Sequence, residues 1–103
     1  MATDDQYYRV VQMRLAVARL RLGLTQEEVA DLADLPVRSY QGLEGIRDSR
    51  NFNPTLQTLR GVAAALRLHL PDLIAEASIE EIASVVIAQS NRTARRVSKR
   101  DKI

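Results

Sequence analysis

An all-α fold is predicted by three features of the 103-residue sequence. Apolar residues recur at i, i+3 and i+4 in successive segments, two Ser/Thr-x-x-Glu capping boxes mark helix starts, and Gly or Pro punctuates the gaps. They predict a compact body of five helices over residues 6–77, an extra C-terminal helix over 78–91 and a basic flexible tail over 92–103.

The first helix is expected from Gln6 to Leu22 after a frayed Met1 to Asp5, with Val11, Leu15, Ala18 and Leu22 as its buried stripe and Gly23 as its stop. Arg9, Arg14 and Arg21 lie off that stripe, as a charged outer face or as phosphate contacts. Thr25 and Glu28 form the first capping box and open the second helix, whose Val29, Leu32 and Ala33 make one apolar stripe while Gln26, Glu27, Asp31 and Asp34 stay wet. Ala30 is small enough to let a crossing helix come close. Asp34 suits a left-handed turn residue, and Leu35 can plug that turn.

Pro36 fits the first position of a third helix that runs to about Glu44. Tyr40 and Leu43 share its inner face. The outer face then holds Val37, Arg38, Gln41 and Gly42: a methyl-bearing residue suited to thymine, an Arg able to bond guanine twice and a Gln able to do the same for adenine. A mid-helix Gly costs about 1 kcal/mol relative to Ala, so Gly42 suggests close approach by a DNA backbone or by a neighbouring helix.

Gly45 to Asn53 reads as a loop carrying Arg47, Arg50 and Asn51 beside the end of the third helix, where such side chains fix a reading helix on phosphates. Phe52, the only Phe, is expected to anchor the loop to the core. Asn53 and Pro54 are expected as cap and first residue of a fourth helix that buries Leu56, Leu59, Val62, Ala63 and Leu66. A short fifth helix begins near Pro71 and includes Leu73 and Ile74.

Ser78 and Glu81 form the second capping box and open a helix to about Gln89, apolar on more than one face through Ile79, Ile82, Ala83, Val85, Val86 and Ile87. Such a helix either folds back on the body or pairs with its copy, with Ile79, Ile82 and Val86 as the dimerisation residues. Beyond Asn91, six Lys/Arg against Asp101 give the tail +5, so residues 1–91 carry −3. The high pI therefore belongs to the tail, which either tracks phosphates or merely solvates the end.

From Thr25 to Glu44 the residues resemble the Cro and lambda-repressor-like helix-turn-helix family, whose T-Q-x-x-L-A pattern, turn, short helix and closing Glu align here without a gap. The likeness extends from about Met13 to Leu73, including Pro54-Thr55-Leu56-Gln57-Thr58-Leu59. It implies that Arg19 pairs with Glu44, that Gln26 bonds a phosphate and braces the third helix, that Val37, Arg38 and Gly42 meet bases, and that Ser39 and Gln41 meet bases or phosphates. The sequence departs from the family pattern at Asp34, Pro36, Val37 and Arg67. Ser39 to Glu44 followed by Arg47 to Asn51 is also similar to the controller proteins of restriction-modification systems.

These features predict a sequence-specific transcriptional regulator, a repressor, binding double-stranded DNA as a homodimer on a palindromic operator. The alternative is an antitoxin-type module that neutralises a partner toxin and autoregulates its operon. Enzymatic chemistry is disfavoured by the lack of Cys, the single His69 and the absence of a phosphate-cradling Gly loop. No catalytic residue, cofactor or metal site is expected, and His69 reads as a cap or surface residue. From the Cys-free composition and the lack of a long apolar run or signal segment, a cytoplasmic chain that does not enter the membrane is expected.

Overall fold

Capping side chains set where most of the helices begin. The computed structural model describes residues 2–45 and 52–101, with 92–101 described as backbone. Its elements are α1 (Asp4–Arg21), α2 (Gln26–Leu32), α3 (Val37–Leu43), α4 (Leu56–Ala65), α5 (Leu70–Ile74) and α6 (Ile79–Asp101), with no strand among the described residues. Both expected capping boxes form, at Thr25 with Glu28 and at Ser78 with Glu81. A third, between Thr3 and Gln6, starts α1 at Asp4, so residues 3–5 are capped and helical where fraying was expected.

Helices α1, α2 and α4 end alike. The residue after the cap takes a left-handed conformation and the next amide reaches back to the final turn: Leu24 to Arg19 at 3.2 Å, Leu35 to Ala30 at 2.8 Å and Leu68 to Ala63 at 2.8 Å. Gly23, Asp34 and Arg67 hold the left-handed positions, with φ of 69°, 55° and 55°. Asp34 thus does what its position in the sequence suggested, and Arg67 does the same without a glycine's freedom.

The core joins one face of each of the first five helices: Val11, Leu15 and Ala18 of α1 meet Val29 and Ala30, Tyr40 and Leu43, Val62 and Ala63, and Leu73. Phe52 packs against this cluster and touches the Tyr8 ring at 5.8 Å. Four apolar positions fall outside their expected place. Leu32 and Leu56 are 62% and 63% exposed and Leu22 is 37% exposed, while Val10 is fully buried. The periodicity found the six helices but not how far each apolar stripe extends, because short helices cover each other only near their crossing point.

Two further starts are displaced. Pro36 is the N-cap of α3 rather than its first residue, and Thr55, not Asn53, caps α4 by accepting the Thr58 amide at 3.1 Å. The largest difference is α6: it does not stop at Gln89 but continues to Asp101 through the segment expected as a flexible tail. Arg92, Arg95, Arg96, Lys99 and Arg100 include like-charged pairs four apart, which disfavour a helix, yet α6 winds through them. α6 packs on α1 through Val85. Among the described residues no helix is long and apolar enough to cross a membrane.

Candidate nucleic-acid interface

The outer face of α3 is a short surface held from behind. Tyr40 is fully buried and Leu43 nearly so, which leaves Val37, Arg38, Ser39 and Gly42 exposed on the other side. A Cβ placed on Gly42 would meet nothing within 4 Å, so no neighbouring helix explains this glycine. The space above it is open.

Behind α3 lies a polar lock. Arg19 donates from Nε to Glu44 Oε2 at 2.8 Å and from Nη2 to Oε1 at 3.1 Å, and its Nη1 reaches the Leu24 carbonyl at 3.0 Å. Gln26 Nε2 donates to the same Glu44 oxygen at 3.2 Å, and Gln41 Nε2 approaches Gln26 Oε1 at a long 3.5 Å. The paired side chains are 15% and 5% exposed, so this is a nearly dry, two-point guanidinium–carboxylate contact. Burial works against the Glu44 charge, yet the hydrogen bonds from Arg19, with the Tyr40 hydroxyl and Gln26 after them, outweigh it and hold the carboxyl below its usual range. The Arg19 guanidinium is held charged by the Glu44 hydrogen bond in turn.

Tyr40 sits beside this lock. Its hydroxyl is buried beside the Glu44 carboxylate and the Arg19 guanidinium, and burial, then the neighbouring carboxylate, push its pKa well above the ordinary range. Gly45 closes the far end of α3 with φ of 86°, and a Cβ there would lie 2.7 Å from Gln12 Oε1. Glycine is needed at 45 for its backbone and for its lack of a side chain. The Gln12 Nε2 beneath it is buried and unpaired.

The structure thus gathers Arg19, Glu44, Gln26 and Gln41 into one network and leaves Val37, Arg38, Ser39 and Gly42 clear of it. Arg47, Arg50 and Asn51 lie outside the described residues. Of the residues assigned to pairing, Ile79 and Val86 are exposed while Ile82 is half-buried.

Arg14 has a role that its sequence position does not suggest. Its guanidinium spans Glu81 through Nε at 2.8 Å and Nη2 at 2.9 Å, and reaches the carbonyls of Leu73, Ala75 and Glu76. It is a clamp holding α1 to the end of α5 and the start of α6, not a free outer charge. Of the other outer arginines, Arg9 pairs with Asp5 one turn back, and Arg21 is exposed. Among the described residues no group of His, Cys, Asp or Glu could hold a metal ion. No family model, curated protein or solved structure matches this chain.

Proposed function

We propose that the chain is a sequence-specific DNA-binding transcriptional regulator of the helix-turn-helix type, a repressor, acting as a homodimer on a palindromic operator. In this reading α2, the Ala33 to Pro36 turn and α3 form the motif, and α3 enters the major groove. One observation carries the reading: the Arg19–Glu44–Gln26 lock fixes the inner side of α3 while its outer side, with Val37, Arg38, Ser39 and an unobstructed Gly42, is left free. A rigid helix with base-reading side chains on its free face is the geometry that direct readout needs. Gln26, engaged with Glu44, acts first as the brace, and any phosphate contact is made from that braced position. Two copies would place their α3 helices about 34 Å apart, one turn of duplex.

The test is selection of bound duplexes from a random DNA pool by the full chain, followed by comparison of Arg38→Ala on the selected and random sequences. The expected result is a palindromic consensus, with a loss of about 1 to 3 kcal/mol on the selected site and little change on random DNA. Absence of any enriched sequence, or equal losses on both DNAs, would refute the reading.

A further inference from the structure

The register of α6 divides the helix lengthwise. Glu81 and Val85 lie on the arc that meets α1, through the Arg14 clamp and direct packing. The opposite arc carries Ile79, Ala83, Val86, Ile87 and Ser90, all exposed, with Ile79 at 83% and Ile87 at 59%. Continued at the same spacing, this arc passes through Thr93 and Val97 before it meets a charge. Ile79, Ala83, Val86, Ser90, Thr93 and Val97 alternate steps of four and three, the 3.5-residue period that keeps one seam facing a partner helix. The seam is about 27 Å long at 1.5 Å per residue.

We infer that this free face of α6 takes the α6 of a second copy of the chain, running antiparallel. Two properties of the helix set the partner and its direction. The seam mixes Ile and Val with Ala, Ser and Thr. Antiparallel pairing centred near residue 88 keeps it in continuous register with its copy, setting Val86 against Ser90, Ala83 against Thr93 and Ile79 against Val97. Charge points the same way. Glu81 is taken up by Arg14, but Glu76 and Glu80 leave the start of the helix region with −2, whereas residues 92–100 carry +5. Antiparallel pairing brings each basic half alongside an acidic start, and parallel pairing would stack the two basic halves. The pairing differs from one through Ile79, Ile82 and Val86, since Ile82 is half-buried and lies off the seam.

This names the partner that the two-fold operator reading calls on, and it is tested without DNA. The chain has no Cys, so introduced cysteines report cleanly. In an antiparallel pair, Ala83→Cys in one chain faces Thr93→Cys in the other, whereas two copies of residue 83 stand about 15 Å apart, beyond disulfide reach. The expected result is cross-linking in the mixture and none in either variant alone. Sedimentation of the full chain should give a dimer, and Val86→Arg should weaken it about 100-fold with helicity unchanged. A chain that stays monomeric, or Ala83→Cys that links to itself, would overturn the inference. An enriched operator bound by a monomer would overturn this pairing alone. An intact dimer that enriches no sequence would overturn the DNA reading alone.

Discussion

Two arginines five residues apart on α1 hold two different elements. Arg19 locks α3 through Glu44, and Arg14 latches α6 through Glu81, each by a two-point contact. They differ in their surroundings. The Glu44 side chain is 5% exposed and also bonded by Gln26, whereas Glu81 is 27% exposed and lies at the edge of the body. The contrast teaches that similar pair chemistry has different weight by depth: a buried charge that loses its partner stays stranded, and a rim charge turns to water.

That contrast sets the order of effects. Arg19→Ala leaves Glu44 buried and unpaired, with an expected destabilisation of about 3 to 5 kcal/mol, read from the denaturant midpoint. A loss below 1 kcal/mol would erase the distinction between lock and latch. Arg14→Ala is expected to cost about 1 to 3 kcal/mol, because its carbonyl contacts are lost along with Glu81. Its mark is local: hydrogen exchange should rise in α6 and stay unchanged in α2 and α3. Acid probes the latch directly. The hydrogen bond from Arg14 holds the Glu81 carboxyl down at about 2, so its contribution is present above the ordinary value of 4.5 and is lost as pH falls from there toward 2. Glu81→Gln should flatten the stability curve across that window. The smallest effect tests the free side of the locked helix. Gly42→Ala meets no neighbour, so the isolated protein should gain up to about 1 kcal/mol, while binding to the selected operator weakens if the DNA backbone comes close.

The lock was legible in the sequence and the latch was not, for a physical reason. Thr25, Glu28, Asp34 and Pro36 act on residues within one turn, so their chemistry shows in short patterns, and the family resemblance supplied Arg19 with Glu44. Arg14 and Glu81 are 67 residues apart, and no local pattern joins them. The Thr3 and Gln6 box was equally local and was hidden only by the polarity around it. Leu32 and Leu56 show the limit of periodicity: it tells which side of a helix is apolar but not where a neighbour ends. At the other end of the chain, the density of like charge in residues 92–100 argues for an unfolded tail, yet α6 runs through them.

Glu81 has two engagements. Its Oε1 accepts the Ser78 amide at 3.0 Å and Arg14 Nη2 at 2.9 Å, while Oε2 accepts Arg14 Nε. The side chain that winds the first turn of α6 is therefore the one that fastens the helix to the body. One carboxylate thus couples the coiling of α6 to its attachment, so a change that removes Glu81 is expected to weaken both.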